Sequence, residues 1–268
     1  MLFIRGKKVP DQPRPIPNRH PRIRHSCSKS CSMRVIWLSE TGALRPIVGR
    51  GDTDPVRSLV RLLPATMPLG MAAVFAVAGA SLGRRRGYIA GFATYWTLCL
   101  AVPLLLLGRR RFVELFTRGP QPFPSPRMLA AAALMLPAAG AIGVELIPNL
   151  RTASAKLLAT SIGIATVNAV SEEVFWRGVP ITEFPDDRWS GWLVPATGFT
   201  LWHLVPLAAR RRWSRVPGVL AGAALIGYGY GWVAWRTRSV RWTLPLHVLT
   251  DASGLRAVRR VWLGDEGA

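Results

Sequence analysis

The chain has 268 residues, of which 35 are Lys or Arg and 14 are Asp or Glu, so its formal net charge at pH 7 is +21. Hydrophobic residues make up 50% of it, and several apolar runs are long enough to cross a hydrocarbon core of about 30 Å, which excludes an ordinary soluble domain. The basic residues come in short bursts between these runs, as in membrane-flanking loops, and not in a patch suited to nucleic acid.

Residues 1–57 differ in composition from the rest of the chain. They contain twelve Lys or Arg and repeated prolines, with little hydrophobic periodicity, which predicts a basic, disordered tail. Cys27 and Cys31 lie in this tail near His25, but three such residues fall one ligand short of a closed zinc site.

The first apolar segments follow the tail and are predicted to form the N-terminal transmembrane helices, 58–148. The first covers 58–82 and the second 88–108, and each ends at a glycine followed by three arginines. A polar, Pro-rich connection at 117–127 leads to the third segment, 128–148. These limits indicate three membrane helices before the first charged motif.

Four further segments lie in the C-terminal half. They are predicted at 156–180, 191–209, 216–235 and 241–257, the last being short and interrupted by Pro245. Glycines in the sixth segment predict close helix approach: Gly218, Gly222, Gly227, Gly229 and Gly231. The sequence thus predicts an all-α, polytopic membrane bundle of about seven segments, with a functional core at 155–257 and a C-terminal tail at 258–268.

A charged motif lies in the fourth segment. A charged side chain at bilayer depth costs roughly 2.5–3.5 kcal/mol, so such groups usually mark a function. Glu173 and Arg177 are four residues apart on a helix and are predicted to pair, while Glu172 points elsewhere and would suit general-base chemistry. The plainer interpretation is a helix end at the interface, with one ion pair and one solvated glutamate.

Two more motifs place histidines in apolar segments. Phe199 and His203 share a helical face, as do His247 and Asp251, where the carboxylate could orient the imidazole. A hydrogen-bonded structural histidine and an ion pair at a helix end are the corresponding structural interpretations.

Taken together, the three motifs supply a base, an orienting cation and two imidazoles, which is a set suited to hydrolysis. The sequence has neither a Gly-x-Ser-x-Gly elbow nor His-Glu-x-x-His, so a serine or zincin mechanism has no support. No cofactor is expected, although zinc held by Glu172, His203 and His247 is chemically possible.

In this order, Glu-Glu-x-x-x-Arg, Phe-x-x-x-His and His-x-x-x-Asp resemble the CPBP family, which comprises the type II CAAX prenyl endopeptidases and bacterial relatives labelled Abi or bacteriocin-processing. The resemblance covers about 155–255. It implies a glutamate-dependent intramembrane endopeptidase whose helices surround a polar cavity. By this resemblance Glu172 and His203 would activate the attacking water, and Glu173 and Arg177 would support the site.

The resemblance also implies that His247 and Asp251 contact the oxyanion or the water. The prenyl endopeptidases have Asn where this chain has Asp251, and an ionised Asp cannot donate a hydrogen bond to an oxyanion. We therefore expect either a protonated Asp251 or, preferably, one that orients His247.

The expected substrate is a membrane-proximal peptide bond in a small or membrane-anchored peptide, and the expected location is a bacterial cytoplasmic membrane. One alternative is a non-catalytic adaptor or immunity-type protein that binds a peptide or partner through the same cavity. Another is a small proton-relaying transporter, although the chain shows no inverted repeat. No nucleic-acid partner is expected, and the sequence leaves the oligomeric state open.

Overall fold

The computed structural model describes residues 54–117 and 122–264, which form helices and no β-strand. The helices are α1 Pro55–Leu82, α2 Arg84–Thr117, α3 Arg127–Leu150, α4 155–183, α5 Trp189–Ala209, α6 Trp213–Thr237, α7 Leu244–Ala252 and α8 Leu255–Val261. Of these, α1, α2, α3, α5 and α6 are long and apolar enough to cross a membrane. The predicted all-α polytopic bundle is confirmed.

The fourth and seventh predicted segments correspond to α4 and α7, which do not meet that criterion. Charged side chains on α4 lower its hydropathy, and α7 has only nine residues. The two helices pack against each other, and α7 also packs against α3. Helices α4 and α7 are thus held by helix–helix contacts, and neither has both the length and the apolarity of the five candidate spans.

The helix ends differ in detail from the predicted segments. Asp54 caps α1 by accepting a hydrogen bond from the Val56 N–H at 2.9 Å, so Pro55–Arg57 of the predicted tail are helical. The rest of that tail, 1–53, lies outside the described residues. The predicted C-terminal tail begins inside α8 instead of after it.

Glycine ends the first helix as predicted but only interrupts the second. Gly83 has φ 77° and Gly108 has φ 71°, a left-handed region that glycine enters without a Cβ penalty. Helix α1 stops at Gly83, whereas α2 breaks at Gly108 and then continues to Thr117.

The glycines of α6 divide into two groups. A Cβ on Gly229 would lie 2.9 Å from the Ala133 carbonyl oxygen of α3, and one on Gly227 would lie 3.0 Å from the Ala196 carbonyl oxygen of α5. Gly231 is similarly close to Trp192, while Gly218 and Gly222 face open space. Close helix approach is therefore confirmed for the C-terminal half of α6 and not for its N-terminal half.

The bundle encloses an aromatic core beneath an apolar outer surface. Tyr95 of α2 stacks on Trp202 of α5 with ring centroids 3.9 Å apart, and both side chains are buried. Large aliphatic side chains are exposed on the outside, as expected of a surface that faces lipid. They include Leu69, Leu105, Met128, Leu136 and Val144.

Candidate active site

The Glu-Glu-x-x-x-Arg motif lies where α4 changes its helical pitch. A regular α-helix runs from Ala155 to Glu172, and a π-helical turn follows from Glu173 to Gly178. Such turns are often found at functional sites because they widen the helix and redirect side chains. Both glutamates are buried, with 2% and 0% of their surface exposed, so each carboxylate needs partners from neighbouring helices.

The Glu172 carboxylate has one oxygen that accepts two hydrogen bonds and one that lies near His247. Its Oε1 accepts from the Tyr95 hydroxyl at 2.9 Å and from Trp202 Nε1 at 3.2 Å. The Tyr95 oxygen in turn accepts from Trp176 Nε1 at 2.8 Å, which leaves the tyrosine proton for Glu172. Its Oε2 accepts no hydrogen bond from the described residues and lies 3.4 Å from His247 Nε2.

Glu173 joins α4 to α7 through its carboxylate. Its Oε1 lies 3.2 Å from Arg177 Nη1, which confirms the predicted ion pair, and 2.8 Å from His247 Nδ1. Its Oε2 accepts a hydrogen bond from Thr243 Oγ1. The Arg177 guanidinium carbon lies 4.2 Å from the centroid of the Phe199 ring, so the aromatic residue of the second motif covers this cation.

The His247 ring lies between the two glutamates. Its Nδ1 and Nε2 both face carboxylate oxygens, which can only accept while they are ionised, so this arrangement favours a doubly protonated imidazolium. Asp251 Oδ2 lies 3.8 Å from Nε2, beyond hydrogen-bonding distance, and accepts from Asn168 Nδ2 at 2.8 Å. The hydrogen bond that orients His247 is therefore the one it donates to Glu173, whereas the sequence suggested Asp251 as the orienting partner.

His203 presents one ring nitrogen to the cavity. Its Nδ1 lies 2.8 Å from the Phe199 carbonyl oxygen, and because a carbonyl only accepts, Nδ1 carries the proton. A neutral ring then keeps its lone pair on Nε2. His203 lines a cavity of about 190 Å³ with Glu172 and Asp251, and we call this space the inner cavity.

Several polar partners of the site were not identified from the sequence. Tyr95 and Trp96 of α2 reach Glu172 and Asn168, the latter through a 2.8 Å bond from Trp96 Nε1 to the amide oxygen. A tyrosine or tryptophan in the middle of a membrane helix must place its O–H or N–H on a partner, and that need was the available signal. Thr243, just before α7, gave no comparable signal.

The possible metal ligands that lie close together in the structure differ from the set proposed from the sequence. One ligand atom each from Glu172, His247 and Asp251 lies within 4.8 Å of the others among the described residues. Asp251 takes the place that the sequence analysis gave to His203. Carboxylate and imidazole are acceptable zinc donors, so this set fits such an ion chemically.

Residues 154–253 match a family model, Rce1-like, described as type II CAAX prenyl endopeptidase Rce1-like. The match is consistent with the CPBP family, and with the membrane helices it supports a hydrolase of the CAAX-endopeptidase class in a multi-pass membrane protein. No curated protein and no solved structure matches the chain. The matched stretch contains all six predicted site residues: Glu172, Glu173, Arg177, His203, His247 and Asp251.

Proposed function

We propose that the protein is an intramembrane endopeptidase that hydrolyses a membrane-proximal peptide bond with a water activated by Glu172 and His203. The observation that carries this proposal is Oε2 of Glu172, a buried oxygen that accepts no hydrogen bond from the described residues, on a side chain that lines the inner cavity with His203. The His247 imidazolium faces this oxygen at 3.4 Å, an ion-pair contact with no hydrogen bond of good geometry, and a bound water would supply that hydrogen bond.

The two acceptors have complementary tasks. Tyr95 and Trp202 hold Oε1 of Glu172, so Oε2 is fixed as the oxygen that takes a proton from the water. His203 Nε2 can accept the second hydrogen bond of that water and orient its lone pair. As the water oxygen bonds to the peptide carbonyl carbon, its proton passes to Glu172. The carbon–nitrogen bond then breaks, and Glu172 returns the proton to the leaving amine.

The negative charge that develops on the carbonyl oxygen needs a donor. His247, protonated between Glu172 and Glu173, can donate from Nε2, and such preorganised donors contribute strongly to catalysis. Arg177 balances the charge of Glu173 and keeps that carboxylate in place. Asp251 restrains the far side of the His247 ring by electrostatic attraction at 3.8 Å.

A metal-assisted version uses the same residues differently. Glu172, His247 and Asp251 would hold the ion, and Glu173 would be the carboxylate that fixes the metal-bound histidine through Nδ1. A bound divalent ion would lower the pKa of a water molecule and polarise the carbonyl.

The location of the protein in a bacterial cytoplasmic membrane stays a prediction.

Cleavage of a membrane-anchored reporter library by detergent-purified protein tests the proposal. We expect Glu172→Gln and His203→Ala to lower cleavage by roughly 100-fold or more, since the first removes the group that takes the proton and the second removes a hydrogen-bond acceptor of the water. Glu114→Gln is the matched control, because Glu114 is exposed on α2 and pairs with Arg110 away from the site. Melting temperature in detergent would show that each variant is folded.

The outcomes separate the competing mechanisms. Loss of cleavage in both variants, with wild-type cleavage indifferent to a chelator, supports the water-activation mechanism. Inhibition by a chelator, reversed by added zinc, would transfer the chemistry to the metal version. Full activity of Glu172→Gln contradicts both. Folded wild-type protein that binds a library peptide without cleaving it would favour the adaptor alternative.

A further inference from the structure

A groove on the bundle lies where α1 ends, α2 begins and α5 ends, and we call it the outer groove. It measures about 400 Å³, and none of the six predicted site residues lines it. Two of its lining side chains, Phe75 of α1 and Val205 of α5, are buried in the bundle. The proposed chemistry does not use this groove.

Small residues on α1 keep the outer groove open. Ala72, Ala76 and Gly79 line it and are four and three residues apart, so they share one face of the helix. A Cβ added to Gly79 would meet no atom within 4 Å. Ala208 lines the groove from α5 and is also exposed. The groove is therefore an apolar slot that can be reached from outside the bundle.

The surface around the outer groove is of the kind that faces hydrocarbon. Val77 and Leu82 of α1 have 66% and 52% of their surface exposed. The three helices that form the groove are each long and apolar enough to cross a membrane, so the slot between them opens toward lipid tails. An occupant of its apolar part therefore comes from the bilayer.

Two arginines give the outer groove a positive charge at one end. Arg84 begins α2, and Arg211 follows the last residue of α5 by two positions. Among the residues that the structure describes, no Asp or Glu lines this groove. Basic side chains at the ends of membrane helices lie at the level of the lipid head groups. The groove thus combines an apolar slot with cations at head-group depth.

Arg211 occupies a position that usually takes glycine. Its N–H donates to the Ala208 carbonyl oxygen at 2.9 Å, and the Arg212 N–H donates to that of Leu207 at 3.0 Å, which is the Schellman arrangement at a helix end. The φ of Arg211 is 53°, in the left-handed region that a Cβ disfavours. Glycine would end α5 at a lower conformational cost, so the arginine favours a task for its side chain.

We propose that the outer groove binds one anionic phospholipid, with an acyl chain between α1 and α5 and the phosphate at Arg84 and Arg211. Guanidinium groups form paired, charge-assisted hydrogen bonds with phosphate, and basic pockets between membrane helices bind lipid head groups. A soluble anion would leave the apolar slot unused, and a neutral lipid would leave the arginines unused. Because α5 also carries His203, the lipid would hold that helix against α1. The proposal does not depend on the proposed protease function.

Thermal unfolding of the delipidated full chain in neutral detergent tests the proposal. Phosphatidylglycerol and phosphatidylcholine with identical acyl chains would be added in separate titrations, and glycerol phosphate would serve as the head group without chains. A ligand that binds only the folded state raises the melting temperature by mass action. We expect phosphatidylglycerol to raise it more than phosphatidylcholine, glycerol phosphate to leave it unchanged, and native mass spectrometry to show one retained phosphatidylglycerol.

The variant Arg211→Gly separates lipid binding from folding. Without lipid its melting temperature should equal or exceed that of the wild type, since glycine adopts a positive φ without strain. Its affinity for phosphatidylglycerol should fall roughly fivefold, and adding Arg84→Gln should bring the loss to about 30-fold, the contribution of one and two basic residues near an anionic lipid. Arg238→Gly is the matched control, because Arg238 has φ 54° at the end of α6 and does not line the groove.

A second pair of variants tests the apolar slot. Gly79→Leu should fill it and lower the affinity for phosphatidylglycerol, whereas Gly70→Leu adds the same side chain at another open position of α1 outside the groove and should not. Equal stabilisation by the two lipids, or unchanged affinity in the double variant Arg84→Gln with Arg211→Gly, would overturn the proposal. Equal stabilisation by glycerol phosphate and phosphatidylglycerol would instead assign the arginines to a soluble phosphate. Equal effects of the two leucine variants would exclude an acyl chain from the groove.

Discussion

Two regions of the bundle contribute to the site in different ways. Helices α4 to α7 lie within or close to the matched stretch and carry every residue of the three motifs. Helices α1 to α3 lie before it, yet α2 places Tyr95 against Glu172 and Trp96 against Asn168. The comparison shows that the proposed acid–base groups come from one region and part of their orientation comes from the other.

The largest effect is expected inside the motif region, at Arg177. Replacing it by Met would remove one of the two cations that face the buried Glu173 carboxylate, His247 being the other, and breaking such a buried pair costs about 3–5 kcal/mol of unfolding free energy. Reversible denaturation in mixed micelles would measure this change in unfolding free energy. Arg110→Met is the matched control, because its ion pair with Glu114 is exposed and should contribute far less. Similar losses in the two variants would contradict a buried, structurally required pair.

A smaller effect is expected from the other region, at Tyr95. Tyr95→Phe removes the 2.9 Å hydrogen bond to Glu172 and leaves Trp176 Nε1 without its acceptor, at a cost of about 1–3 kcal/mol. Because Oε1 of Glu172 would lose one of two donors, we also expect kcat of reporter cleavage to fall by roughly tenfold, about 1.4 kcal/mol in barrier height.

Tyr228→Phe provides the comparison for that change. Tyr228 lies on a more exposed part of α6, and its hydroxyl is hydrogen-bonded to the Thr197 hydroxyl of α5. Cleavage by this variant should therefore be unaffected. If Tyr95→Phe cleaved at the wild-type rate while its stability fell, α2 would be a structural support without influence on Glu172.

The sequence predicted contacts within one helix but not contacts between helices that are distant in the chain. Glu173 and Arg177 were predicted to pair because helical spacing alone brings them together, and the apolar runs were enough to predict a membrane bundle. The contact from Glu173 to His247 joins α4 to α7 across 74 residues, and the Tyr95 contact spans 77. Helical periodicity relates only residues that are a few positions apart, so the sequence could not predict these contacts. It therefore assigned the orientation of His247 to Asp251, four residues away, and not to Glu173.

Some features were hidden because they depend on packing. Gly218 and Gly229 are equivalent as letters in a glycine-rich helix, yet only the second faces a neighbouring backbone closely. The charged motif does not by itself predict the π-helical turn at Glu173–Gly178. The arginine bursts likewise predicted loops, while the grouping of Arg210, Arg212 and Arg256 around one cavity depends on how the helices pack.

The smallest effect is expected two contacts away from the proposed chemistry, at Trp96. Its Nε1 donates to Asn168 Oδ1, and the Asn168 amide donates to Asp251, so Trp96→Phe would free Asn168 to rotate and lose hold of that carboxylate. We expect a loss of about 1 kcal/mol in stability and a few-fold fall in cleavage. Trp262→Phe separates this from packing, because Trp262 stacks on Trp96 at 5.5 Å without touching the hydrogen bond. If the two variants behaved alike, stacking would account for the effect. A fall in cleavage confined to Trp96→Phe would show that α2 positions Asp251 through Asn168.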